Sequence, residues 1–194
     1  MIKTFFRIQS NLTGGQLIAI TLLALLFNFW ATAILNAAYT ASEFPVPYWQ
    51  AQLSFDDEML KGWYGSLLSK HKLGLYVRTQ IVDFVFIVSV FILHTSALLA
   101  LSRGMPATSK ARQLLVWAAL LSTIAPLSDA VENCISFIML ANPTDFEPSL
   151  ALAYSSVAAI KFGMFTFAYV AAIVGLFAML YFRVTRARHG TSGV

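Results

Sequence analysis

The chain has 194 residues, of which 58% are hydrophobic and 11% charged, with a net charge of +4. That charged share is far below the roughly 25% of ordinary soluble domains, which excludes a water-soluble globule. The basic residues are divided among ends and loops without aromatic interleaving, so no nucleic-acid partner is expected, and the lone Cys134 excludes an intramolecular disulfide.

Crossing a hydrocarbon core takes about 20 mostly apolar residues in a helix. Four stretches meet that need, at about 16–39, 75–101, 113–141 and 150–182. They predict an all-α integral membrane protein, one membrane domain over 1–194 arranged as a four-transmembrane-helix up-down bundle. In the first stretch, "MIKTFFR" and the small residues that follow imitate a secretory signal. The uncharged run from Leu17 to Ala38 exceeds the 7 to 15 residues of a signal core, so a retained anchor is expected. Asn28 and Asn36 on this span are expected to bond neighbouring helices.

Residues 54–72, "SFDDEMLKGWYGSLLSKHK", follow. Phe55, Met59, Leu60, Trp63, Tyr64, Leu67 and Leu68 recur with helical spacing, predicting an amphipathic interfacial helix on the outer surface. Ser54 opens a capping box closed by Asp57, and Lys70, His71 and Lys72 suit the C-terminal dipole before Gly74. Such a helix is either a connector that buries its apolar face or a lid over an outward opening.

Basic residues set the topology. Lys3 and Arg7 precede span one, Arg103, Lys110 and Arg112 fill the loop after span two, and Arg183, Arg186 and Arg188 follow span four. By the positive-inside rule these segments face the cytoplasm, with both termini inside. The loop "NPTDFEPS" carries only acids and belongs outside.

Ionisable groups interrupt three spans at one depth. With a rise of ~1.5 Å per residue, Asp83 lies about 12 Å from the outer end of span two. Asp129, Glu132 and Asn133 lie roughly 12 to 18 Å into span three, and Lys161 about 16 Å into span four. At ~100° per residue, Ser122, Asp129, Glu132, Asn133 and Ser136 share one stripe, as do Tyr76, Thr79, Gln80, Asp83 and His94, and as do Tyr154 and Lys161. Pro126 should kink span three and free the Ser122 carbonyl.

An ionised side chain at mid-span costs about 2.5 to 3.5 kcal/mol on the insertion scale, so the acids must be paired. Lys161 neutralises one; either another acid carries a proton or a cation from solution is bound. Arg78, nearer the surface, reads as a snorkelling residue. His94 reads as a hydrogen-bonded bundle histidine or as part of the ligand wall. No cofactor or cysteine metal motif is evident, although a divalent cation at Asp83, Asp129 and Glu132 is chemically admissible.

"YVRTQIVDFVF", "PLSDAVEN" and "SSVAAIKF" together resemble a family of small bacterial four-helix membrane proteins with Asp in helix two, D-x-x-E-N in helix three and Lys in helix four. The resemblance covers about the last 120 residues. It implies a bacterial inner-membrane location and marks Asp83, Asp129, Glu132, Asn133 and Lys161. It implies no activity.

Three functions use these residues. A pocket could bind or modify a lipid-like or isoprenoid-like small molecule, with Asp129 and Glu132 as base and acid, Lys161 tuning them, Asp83 beside them, and Asn133, Tyr76, Gln80, Tyr154 and His94 as ligand contacts. The same cluster could carry protons or cations, with a homo-oligomer supplying the wall that four helices lack. Alternatively it packs the helices of an assembly subunit. Membrane lipids are partners under each.

Overall fold

The computed structural model describes residues 9–190, with side chains described as far as Thr185. Lys3, Arg7, Arg186 and Arg188 therefore contribute nothing further to the topology assignment. Among the described residues the elements are helical: α1 Gly14–Ser42, α2 Tyr48–Gln52, α3 Asp57–Ser69, α4 Leu73–Arg103, α5 Lys110–Leu121, α6 Ile124–Ala141 and α7 Pro148–Gly190. Four segments, Gly14–Ser42, Leu73–Arg103, Lys110–Ala141 and Pro148–Thr185, are long and apolar enough to cross a membrane. These are the four stretches expected from composition, each longer by a few residues.

Local chemistry sets the helix ends. Thr13 and Gln16 form a reciprocal capping box, with Gln16 N–H donating to Thr13 Oγ1 at 3.2 Å and Thr13 N–H to Gln16 Oε1 at 2.9 Å. That box gives "LTGGQ" a structural role. Ser109 caps α5 by accepting from Arg112 N–H at 3.2 Å. Pro148 occupies the first position of α7, where its missing N–H has no helical acceptor to lose.

The helix expected over 54–72 is shorter at both ends, and its apolar face is divided. Asp56, not Ser54, caps α3, accepting from Met59 N–H at 3.0 Å. The reason lies upstream: Phe55 takes a φ of 53° and donates its N–H to Ser155 Oγ at 3.1 Å, which swings the chain so that Asp56 meets the helix start. The helix ends at Ser69, short of the expected 72. His71 at φ 56°, the Lys72 N–H to Leu67 carbonyl bond of 2.8 Å and the His71 N–H to Leu68 carbonyl bond of 3.0 Å make a Schellman cap. The apolar face is also divided, with Leu60, Tyr64 and Leu67 buried while Phe55, Met59 and Leu68 are exposed. The preceding helix α2 was not foreseen.

The chain between Leu121 and Ile124 leaves the α-helical path, as expected from Pro126. Thr123 N–H bonds the Leu120 carbonyl at 3.2 Å in a tight turn, and Ser122 Oγ returns to the Ala119 carbonyl at 2.9 Å.

The residues fall into two compact units. Unit 1 comprises the described parts of Met1–Leu26, Phe91–Ile124 and Met164–Val194. Its core joins Leu17, Leu98, Leu99, Met105, Leu115, Val116 and Ala119. Glycine permits close approach here: a Cβ on Gly175 would stand 2.8 Å from Leu115 Cδ2. Arg103 Nη2 donates to the carbonyls of Gln9 at 2.6 Å and Leu12 at 3.0 Å, satisfying backbone acceptors with the charge expected in this loop.

Unit 2 comprises Phe27–Val90 and Ala125–Gly163. Phe44, Leu60, Tyr64, Leu67, Tyr76, Met139, Phe146 and Tyr154 belong to its core. The rings interlock, with Phe44 stacked on Tyr76 at 4.5 Å between centroids and Tyr64 meeting Tyr76 at 5.9 Å and Phe146 at 6.1 Å. Asn28 Nδ2 donates to Ser89 Oγ at 2.9 Å, the interhelical amide bond expected of it.

Candidate functional site

Helix α6 carries polarity inward and hydrocarbon outward. Asp129, Glu132, Asn133 and Ser136 are buried, whereas Leu127, Val131 and Ile138 are exposed. Their spacing of three and four residues stacks the buried set on one face. Such reversal suits a helix whose outer neighbour is lipid rather than water.

Lys161, from α7, enters this stripe. Its ammonium is 3.0 Å from Asp129 Oδ1 and 2.5 Å from Glu132 Oε2, with all three side chains at most 4% exposed. A third acceptor is Gln52 Oε1 at 3.0 Å, from α2. An ammonium has three donors, and here three acceptors surround it. The Asp129 contact is a hydrogen bond; the shorter Glu132 contact approaches outside hydrogen-bond angles and is an ion pair. The single charge expected to neutralise one acid is shared between two, because Asp129 and Glu132 stand one helical turn apart on the same face. The ring of Phe162 lies 4.8 Å from the same nitrogen.

Asp83 on α4 joins through Asn133, whose Nδ2 donates to Asp83 Oδ2 at 2.7 Å. Asn133 then presents its Oδ1 elsewhere, and that atom is buried without a hydrogen-bond partner. The same holds for Glu132 Oε1, Gln80 Oε1, Ser136 Oγ and the hydroxyls of Tyr64 and Tyr154. Each of these residues is at most 7% exposed. Leaving a buried polar atom unpaired costs about 1–3 kcal/mol, so a concentration of them around one ion-pair network requires a reason.

Electrostatic neighbours place these atoms together. Burial pushes the Tyr64 hydroxyl upward from the ordinary tyrosine range; Ser136 opposes the rise, Glu132 adds to it and Tyr76 opposes it. Ser136 and Tyr76 therefore stand within side-chain hydrogen-bonding reach of the Tyr64 hydroxyl. Tyr154 lies within electrostatic reach of Tyr76, Glu132 and Tyr64, and Tyr76 within reach of Gln80.

Unit 2 thus contains Asp83, Asp129, Glu132, Lys161, Asn133, Tyr76, Gln80 and Tyr154. His94 belongs to unit 1, edge-on to Tyr169 at 5.0 Å and Phe165 at 5.8 Å, with Nδ1 lacking a hydrogen-bond partner. Ser122 is also in unit 1. Arg78 is exposed, as a snorkelling residue would be. Sequence reasoning missed Gln52, a polar residue in a stretch without a strong periodic signal, and read Tyr64 only as part of an apolar face. Among the described residues, no group of three or more His, Cys, Asp or Glu is arranged to hold a metal ion. Comparison with family models, curated proteins and solved structures finds no match.

Proposed function

We propose that this chain is a multi-pass protein of a bacterial inner membrane, with both termini cytoplasmic, whose outward half binds the polar head of a lipid-like or isoprenoid-like small molecule. The supporting observation is the set of buried, unpartnered polar atoms around Lys161, Asp129 and Glu132. A head group with several hydrogen-bonding positions would complete them, and apolar helix faces would accept the tail. Glu132, whose Oε1 lacks a hydrogen-bond partner, would exchange a proton with such a guest. In this arrangement α3 lies at the outer interface, with exposed Phe55, Met59 and Leu68 entering the lipid boundary.

A packing role has one observation in its favour: the Lys161 ammonium is surrounded by three acceptors, as a structural clamp would be. The clamp accounts for Gln52, Asp129 and Lys161. It leaves the Tyr154, Ser136 and Asn133 atoms unexplained.

Native mass spectrometry of the purified protein separates the two. The binding role predicts a co-purified small molecule that Tyr154→Phe reduces or removes. Removing an unpaired hydroxyl spares about 1–3 kcal/mol of desolvation cost, so Tyr154→Phe should leave the ligand-free protein as stable as the parent or more so. Bare protein in every preparation, with Tyr154→Phe destabilised, would establish the clamp instead.

A further inference from the structure

The polar cluster of unit 2 is closed, with Asp129, Glu132, Asn133 and Lys161 all buried. A guest enters only if a covering element moves, and the coverings are unequally fixed. Helix α3 is firmly seated, because Leu60, Tyr64 and Leu67 are fully buried in the aromatic core. Upstream the chain is fixed as far as residue 46: Phe44 stacks on Tyr76, and the Val46 carbonyl accepts from the Tyr39 hydroxyl at 2.7 Å.

Residues 47–55, which carry the five-residue helix α2, are held more lightly. Tyr48, Trp49 and Leu53 are exposed, while Ala51 and Gln52 turn inward. Two hydrogen bonds fasten the segment to α7, from Lys161 Nζ to Gln52 Oε1 at 3.0 Å and from Phe55 N–H to Ser155 Oγ at 3.1 Å. The second is made with Phe55 at a φ of 53°, a left-handed conformation unfavourable to a residue with a side chain.

Resting on the binding role above, we infer that residues 47–55 form a hinged strap that serves as the entrance to the site, with Gln52 its latch on Lys161 and Phe55 the strained joint about which it swings. Raising it frees the third ammonium donor for a guest or for water, while the contacts to Asp129 and Glu132 stay. Strain stored at Phe55 favours the raised position. The Gln52 bond, made to a charged donor, opposes it.

Cysteine alkylation of the full chain in maltoside micelles tests this, with N-ethylmaleimide as the probe and Cys134→Ser throughout because Cys134 is exposed. Ala51→Cys puts a thiol on the inward side of the strap, where its rate follows the raised fraction, and Ala119→Cys in unit 1 reports general unfolding. Both positions are at most 1% exposed. Gln52→Leu removes the latch and should speed alkylation of Ala51→Cys by about tenfold or more. Phe55→Gly removes the stored strain, since glycine takes this φ freely, and should slow it by on the order of fivefold. Ala119→Cys should change in neither background.

Equal rates for Ala51→Cys in all three backgrounds overturn the strap, as does an equal acceleration of Ala119→Cys by Gln52→Leu. Phe55→Gly alters no side chain of the ion pair, so if Gln52→Leu does not fold, an unchanged or faster rate in Phe55→Gly overturns the strap by itself. These rates are read without a guest. A co-purified molecule in native mass spectrometry beside an immobile strap overturns the entrance and leaves the binding role standing. A swinging strap on protein that is bare in every preparation removes the binding role, and with it the strap's service as an entrance.

Discussion

Units 1 and 2 use polar side chains in opposite ways. In unit 1 they mostly bond the backbone of their own helix: Ser102 Oγ donates to the Leu99 carbonyl at 2.7 Å, Ser122 to Ala119 at 2.9 Å and Thr21 to Leu17 at 2.8 Å. Such residues are largely satisfied before helices meet, Thr21 adding one bond across to Ser96 Oγ at 3.1 Å, and the contacts are left mostly to Leu, Ala and Gly. In unit 2 the charged groups reach across elements, from α7 to α2 and α6, and the residues around them retain unpaired atoms. Unit 1 has unpaired atoms too, on His94, Thr95 and Arg103, but among the described residues no ion-pair network gathers them. The contrast teaches that polarity within a span signals function by where its bonds go, more than by its amount.

The contrast predicts unequal responses to substitution. Lys161→Met strands two buried carboxylates and should cost about 3–5 kcal/mol, read as lost folded protein or a collapsed unfolding midpoint. Should Lys161→Met prove no worse than a packing change in unit 1, the special status of unit 2 would fail. Gly175→Leu supplies that packing change: its Cβ would already be 2.8 Å from Leu115 Cδ2, and overpacking should cost about 1–3 kcal/mol in the same assay. At the small end, Gly163→Ala lies in helix α7 with nothing within 4 Å of the added Cβ. Its helix propensity should raise stability by about 0.5–1 kcal/mol; a loss would show that the glycine serves a contact other than backbone helix.

The spans were legible because apolar length acts additively over many residues, so no single contact decides them. The stripe of Asp129, Glu132 and Asn133 was legible for a related reason, since helical spacing alone puts those residues on one face. What could not be read were decisions made by distant partners. "SFDDE" offers Ser54, Asp56 and Asp57 as caps, and the choice falls to Asp56 because Ser155, a hundred positions away in the chain, holds the Phe55 N–H. Gln52 sits in a stretch with no periodicity to aim it, and its role follows from Lys161 needing a third acceptor. His71 ends α3 in a conformation usually taken by glycine, which the basic run "SKHK" did not announce.

The Gln52 contact has a thermodynamic consequence. Because a side chain from the segment before α3 completes the shell of an ammonium within a span, lifting that segment strips a buried charge of one acceptor. Local opening of that segment and loosening of the charge within the span are then one cooperative event with a shared free energy. Amide exchange or protease nicking between Tyr48 and Asp56 becomes a gauge of the electrostatics around Lys161.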